Sequence, residues 1–397
     1  MERPAFVSPF LYRPMVVAVL GAASGIILFS ILKGTGVIVA LCLLSIWGMW
    51  SWQLDLLAQR TFALAALFIL LRCLLLPEGA PPDWFMRPFE AARNALVSTT
   101  LHLFEEPDGS LLCTMLWGLR SNLDKALYAA YKGAGVAHIL SLSGLHVTFI
   151  VLIINRLAGK APIGLRLIVN SALLLSYCAI AAFPASLVRS MLMCLCPLVA
   201  EALGRKKDQP SNIAFAALCI IAFSPSALYD IGFQLSFGAV AAIAMLYRPV
   251  AEALPLPTRL SGDISMSICG MLGTLPLTAY HFKEVSLISI FANLLILPIV
   301  PFAFLLPMAA CILGVIYIRL GEFIAPTARL LVRGMNAGTE AVAALPFSLL
   351  TTPKPPILSC FLFFGALFIV SRYCLLPKRE KHFVGAALFA AALLVML

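Results

Sequence analysis

Charge is scarce in this chain. Asp, Glu, Lys and Arg make up 12% of its 397 residues, about half the ~25% usual in soluble domains. That shortage argues against a water-soluble globular protein. Several chemical signatures are missing too. The 11 cysteines include no CxxC pair, and their nearest approach is Cys194-x-Cys196, so neither a disulfide framework nor a thiolate metal site is expected. No GxxxxGK[ST] loop occurs, which removes the usual route to an ATP motor within the chain. There is no HExxH pair, no H-x-H-x-D-H run and no GxSxG elbow, so the common metallohydrolase and serine-hydrolase patterns are absent.

What is present is apolar: 62% of the residues. Runs such as Val16–Leu32, Val37–Leu54, Phe62–Leu76, Ile163–Phe183 and Ile357–Ser371 carry almost no charge, and a bilayer-crossing helix needs ~20 such residues. The fold class expected is all-α, a polytopic integral membrane protein with about ten to twelve helices, some broken or short. The first run follows MERPAFVSPFLYRP without a convincing cleavage site and reads as a retained span. The net charge of +10 suits polyanion binding, but cytoplasmic loops are basic for topological reasons alone.

Basic residues set the expected path. Arg3 and Arg13 place the amino terminus inside, and Arg60 marks the next inner loop. Arg156, Lys160 and Arg166 mark another, followed by Arg205-Lys206-Lys207, Arg248–Arg259 and Lys378-Arg379-Glu380-Lys381. The stretch before His138 departs from this rule, because Arg87, Arg93, Arg120, Lys125 and Lys132 would lie outside. The organisation expected is a membrane region with a short external connector (1–83), an amphipathic helix at the interface (84–110), a membrane core (111–307) and carboxy-terminal membrane helices (308–397). In Trp84–Phe104, Phe85, Phe89, Ala92, Leu96, Leu103 and Phe104 approximate one helical face, as in a helix lying in the interface. A polar connector with some helix fits the same residues.

The most informative stretch is Gly135-VAHILSLSGLHVTFIVLII-Asn155, which sets His138, Ser141, Ser143, Gly144 and His146 among apolar residues. Ionisable groups are costly in hydrocarbon, so such a histidine is a functional candidate. On one continuous helix the two histidines would stand about 80° apart, unless Gly144 breaks the helix first. A polar pore or gate element and a packing histidine both remain open readings. Arg189, in PASLVRSMLM, must snorkel, pair or face water, and Asp230 is one candidate partner. Gln234, His281 and Asn293 are further polar groups in apolar surroundings, where amides commonly bond across helices. Pro276, Pro298 and Pro301 interrupt helices, which membrane proteins tolerate where the break is buried or lines a cavity. No catalytic or metal-binding set and no cofactor is expected.

Together these segments resemble the competence-protein family, the ComEC-type channels for DNA uptake. GVAHILSLSGLHV resembles its central signature. FPASLVRSMLM, LGRKKDQPSNIAFAALCIIAFSPSALYDIGFQLSFGAVAAI and GTLPLTAYHFKEVSLISIFANLLILPIVP follow in the family's order. The resemblance spans roughly Leu111–Pro307. It implies a non-enzymatic channel importing transforming DNA, as a single strand, across the cytoplasmic membrane. His138, Ser141, Ser143, Gly144, His146, Arg189, Asp230, Gln234, His281 and Asn293 would then line the pathway or organise the core. It further implies membrane lipids around the chain, an external DNA receptor, a cytosolic ATP-driven motor or DNA-binding proteins, and a homo-oligomer. Family members often add an OB-like and a metallo-β-lactamase-like domain. Neither pattern stands in this sequence, so nuclease activity is not carried over and DNA capture would rest on partners. From the residues alone, a lipid or small-anion transporter and an intramembrane metal-dependent hydrolase using His138, His146 and His281 stay open.

Overall fold

The computed structural model describes residues 14–32, 83–119, 123–159, 161–204, 208–346, 348–371, 373–374 and 377–396. The expected spans Val37–Leu54 and Phe62–Leu76 lie outside the described residues. So do the basic positions Arg3, Arg13, Arg60, Arg120, Lys160 and Arg205-Lys206-Lys207, and nearly all of the Pro77–Trp84 connector.

In chain order the helices are α1 (Pro14–Leu32), α2 (Asp83–Leu103), α3 (Asp108–Trp117), α4 (Lys125–Gly133), α5 (Gly144–Ala158), α6 (Ile163–Ile180), α7 (Ala185–Ala202), α8 (Gln209–Phe223), α9 (Ile231–Ala253) and α10 (Thr258–Phe282). They continue with α11 (Ser289–Ile296), α12 (Val300–Ile316), α13 (Ile318–Ala343), α14 (Ile357–Val370) and α15 (Lys378–Met396). Strands β1 (Glu284–Val285) and β2 (Leu350–Thr351) pair antiparallel, Glu284 opposite Thr351. The chain is an all-α membrane protein. Among the described residues α6 and α9 are each long and apolar enough to cross a bilayer, and α11 with α12 qualifies as one span bent by 51°. Within the described residues 28% of the apolar stretch of α6 and 17% of that of α9 is buried.

Several apolar runs become helices close to where the sequence places them. Ile163–Phe183 becomes α6, and Ile357–Ser371 becomes α14. Of the two arrangements left open for Gly135–Asn155, the structure has the break at Gly144: a single 3-10 turn at Ala137–Ile139 precedes a turn, and α5 starts only at Gly144. The interruption expected at Pro298 falls between α11 and α12: the chain turns between Ile296 and Val300, where Pro298 supplies no N–H and disfavours helix before it.

The fold divides into two compact units. Unit 2, Pro81–Lys206 with Lys283–Thr352, is built around a continuous core in which Phe104, Trp117, Tyr131 and Phe304 are fully buried. Helix α2 packs one face into it: Leu96, Thr100 and Leu103 are buried, while Trp84, Arg87 and Glu90 stay exposed. Trp117 Nε1 donates to Thr100 Oγ1 at 2.9 Å, and Tyr177 Oη donates to the Leu116 carbonyl at 2.9 Å. Arg329 Nε donates to the Leu103 carbonyl at 3.0 Å, satisfying a group that the end of α2 leaves open.

Unit 1, Met1–Ala80 with Lys207–Phe282 and Pro353–Leu397, pairs α9 with α10, α14 with α15 and α1 with α8. Helices α9 and α10 cross at Gly238 and Gly273. A Cβ added to Gly273 would meet the Gly238 carbonyl oxygen and lie 2.6 Å from Ala242 Cβ, and one added to Gly238 would lie 2.7 Å from the Gly273 carbonyl oxygen. The two backbones touch, and only glycine permits that approach.

Candidate functional site

The site in unit 2 is assembled where the chain breaks before α5. Gly135 takes a left-handed φ of 74°, and the space its Cβ would fill is occupied by Ser286 and Ser289. The 3-10 turn then carries His138, which is exposed, and Ser141 Oγ donates back to the His138 carbonyl at 2.9 Å. Ser143 is the N-cap of α5 in extended conformation and shares a reciprocal capping arrangement with His146: its side chain accepts from the His146 N–H, and its own N–H donates to His146 Nδ1 at 3.2 Å. This satisfies two backbone donors at the helix start. Because Nδ1 accepts, the neutral ring carries its proton on Nε2. The ring is fully buried and stacks on Phe304 of α12, centroids 4.3 Å apart and planes 20° apart. Among the described residues Nε2 has no hydrogen-bond partner.

Helix α7 grips this turn. Ser186 Oγ donates to the Leu142 carbonyl at 2.7 Å. One turn on, Ser190 Oγ lies 3.1 Å from where a Cβ on Gly144 would sit. Arg189 stands between them, 4% exposed, and its Nη2 donates to Ser190 Oγ at 3.2 Å. The guanidinium is thereby held close to the first turn of α5. The first turns of α5 and α7, each the positive end of its helix, thus meet beside a buried cation, an arrangement that favours anions. At the opposite end of α5, Asn155 Oδ1 accepts from Arg166 Nε and from Asn170 Nδ2, both at 3.3 Å, and Arg166 faces Glu201 at 3.8 Å.

The remaining candidates occupy other places. In unit 1, Asp230 caps α9 by accepting from the Phe233 N–H at 2.8 Å. Gln234 Nε2 donates to the Leu228 carbonyl at 3.1 Å, while its Oε1 accepts from His281 Nε2 at 2.9 Å. This relay ties the 3-10 turn Pro225–Tyr229, the start of α9 and the end of α10 together. Asn293 sits on α11 in unit 2, with its Oδ1 buried and unbonded among the described residues. The fold therefore gathers Ser143, Gly144, His146 and Arg189 in unit 2, and Asp230, Gln234 and His281 in unit 1. Among the described residues no three His, Cys, Asp or Glu side chains converge as metal ligands.

Sequence reasoning passed over a second polar cluster in unit 2. Asp108, 5% exposed, accepts from Arg333 Nε at 3.1 Å and from Asn336 Nδ2 at 3.0 Å, and Asn336 Oδ1 accepts from Tyr131 Oη at 2.8 Å. The available signal was spacing. Arg329, Arg333, Asn336 and Glu340 recur at helical period along α13.

A bundle with a broken helix entry, a bent helix pair and buried polar groups in apolar surroundings defines a membrane protein of the all-α class. The chain belongs to the Competence protein family, whose profile matches residues 115–377. It is 27% identical over 231 residues to ComE operon protein 3 of Bacillus subtilis (strain 168), covering 56% of this chain and 29% of the relative. It is 29% identical over 252 residues to Competence protein ComA of Neisseria gonorrhoeae, covering 59% and 35% respectively. A third relative, Uncharacterized protein MG316 homolog of Mycoplasma pneumoniae, is 24% identical over 241 residues, 59% of this chain and 60% of the relative. The chain spans less than two thirds of the length of each of these curated relatives. No solved structure matches.

Proposed function

We propose that this chain forms a membrane path for transforming DNA, passed as a single strand, across the cytoplasmic membrane, with its helices crossing several times. One observation carries the reading: buried Arg189 is held beside the first turns of α5 and α7, inside the segment that also carries the family match. A phosphodiester strand needs cationic or dipolar stations in an otherwise apolar wall. Stations that are few and weak let the strand leave as well as enter. In this reading the chain performs no catalytic step. Energy and capture come from a cytosolic ATP-driven motor or DNA-binding proteins and from an external receptor, and the chain assembles as a homo-oligomer.

The test is DNase-resistant uptake of labelled DNA by host cells with the intact chain, a deletion, or His146→Ala at matched membrane levels. The expected result is loss of uptake in the deletion and a strong fall in His146→Ala, whose ring joins the cap of α5 to Phe304. Normal uptake in the deletion, in cells shown to be competent, contradicts the proposal and moves the small-anion or lipid transporter to first place.

A further inference from the structure

Helices α5 and α7 of unit 2 lie along one another in one register, and small or polar side chains mark the line between them. Ser190 Oγ comes within 3.1 Å of the place a Cβ on Gly144 would take. One turn on, the Thr148 side chain faces the Cys194 thiol. At the far end Arg166 of α6 joins the two helices, donating from Nε to Asn155 Oδ1 at 3.3 Å and facing Glu201 at 3.8 Å. Gly144, Thr148, Val151 and Asn155 share one face of α5, and Ser186, Ser190, Cys194 and Glu201 share one face of α7. From Ser190 to Glu201 this seam is about 17 Å long at 1.5 Å per residue, with Arg189 at one end and Arg166 at the other.

The seam is bolted at its ends and loose between them. At the Arg189 end the bolt is the bond from Ser186 Oγ to the Leu142 carbonyl. Beyond it the hydroxyls are satisfied along their own helices: Thr148 Oγ1 donates to the Gly144 carbonyl at 2.8 Å, and Ser190 Oγ to the Ser186 carbonyl at 2.7 Å. Parting α5 from α7 there leaves no hydroxyl proton stranded, whereas parting Asp108 from Asn336 breaks a buried bond. A second observation points to an occupant. Asn170 of α6 is fully buried; its Nδ2 donates to Asn155 Oδ1 at 3.3 Å, and its own Oδ1 has no partner among the described residues. A nucleic acid strand brings what this end lacks, since its bases carry N–H donors and its phosphates suit an arginine at either end.

We infer that the α5–α7 seam is the gate of the DNA route, opening at Thr148 and Cys194 to let a single strand pass from Arg189 to Arg166. This rests on the reading of the chain as a DNA path. The bolt at Ser186 keeps Arg189 in place while the seam opens beyond it. Small side chains let the two helices close on each other when no strand is present.

The test locks the seam. Thr148→Cys in the full chain sets a thiol opposite Cys194, and an oxidant closes a disulfide that mass spectrometry of the membrane fraction detects and quantifies. Uptake of DNase-protected labelled DNA by host cells is measured before oxidation, after it, and after a reductant. The expected result is a loss of uptake in proportion to the locked fraction, reversed by the reductant and absent when Cys194→Ser accompanies Thr148→Cys. Unchanged uptake with the disulfide formed overturns the inference. So does an equal loss with Cys194→Ser, or a disulfide that does not form, because the two side chains would then not face each other. The deletion separates the two failures. Uptake lost in the deletion but indifferent to the lock removes the gate and leaves the DNA path standing, whereas normal uptake in the deletion removes both.

Discussion

In unit 2 buried polar side chains pin helices to one another, whereas in unit 1 the middle of the α9–α10 crossing is backbone against backbone, with the side-chain bonds Gln234–His281 and Ser261–Ala251 at its two ends. Asp108, Asn336, Tyr131, Thr100 and Trp117 bond across helices in unit 2, beneath aromatic residues that no solvent reaches. In unit 1 the α9–α10 crossing is made by Gly238, Ala242 and Gly273, with a small buried cluster of Ala242, Leu246 and Cys269 beside it. The first mode specifies which groups must meet, since each unmet partner is costly. The second maximises close packing where lipid offers the alternative contact. A polar candidate pathway set in the pinned unit is therefore held at fixed distances, while the glycine-packed unit has fewer contacts that depend on one partner.

Substitutions measure that contrast. The largest effect is expected for Asp108→Ala, which leaves the buried Asn336 amide without its charged acceptor and frees the exposed Arg333: a loss of about 2.5 kcal/mol, read by denaturant unfolding of the purified protein in detergent. Gly273→Val should follow at about 2 kcal/mol, by forcing α9 from α10, seen as a lower midpoint in a thermal melt. Gln234→Leu leaves the Leu228 carbonyl and His281 without their partner. It should cost about 1 kcal/mol, with faster hydrogen exchange confined to the start of α9 and the end of α10. Ser186→Ala should be smallest, about 0.5–1 kcal/mol, detectable as quicker proteolysis near Leu142. If Gly273→Val outweighs Asp108→Ala, the contrast between pinned and close-packed units is broken.

Much of the helical plan was legible in the sequence, because a spanning helix must be a long uncharged run. Ile163–Phe183 and Ile357–Ser371 mark α6 and α14 to within a few residues. The polar candidates stood out for the same reason: Arg189 and His146 interrupt apolar runs. What each side chain meets was less legible. Asp230 and Ser143 turned out to cap helices, a local role that an Asp or Ser three residues before a backbone donor announces. The His281–Gln234 bond and the Asp108–Asn336 bond join residues far apart in sequence, and no spacing rule reports such a meeting. The Gly238–Gly273 contact is equally silent, because a glycine in a helix signals space without naming its neighbour.

The station for passing phosphates proposed at the first turns of α5 and α7 stands or falls with Arg189. The decisive experiment is uptake of DNase-protected labelled DNA in Arg189→Gln and Arg189→Lys cells at matched membrane levels. Uptake in Arg189→Gln is expected to fall by about tenfold or more, the effect of removing one desolvated phosphate contact, while Arg189→Lys keeps much of it. Uptake in Arg189→Gln equal to wild type would contradict it and leave the arginine as a packing residue.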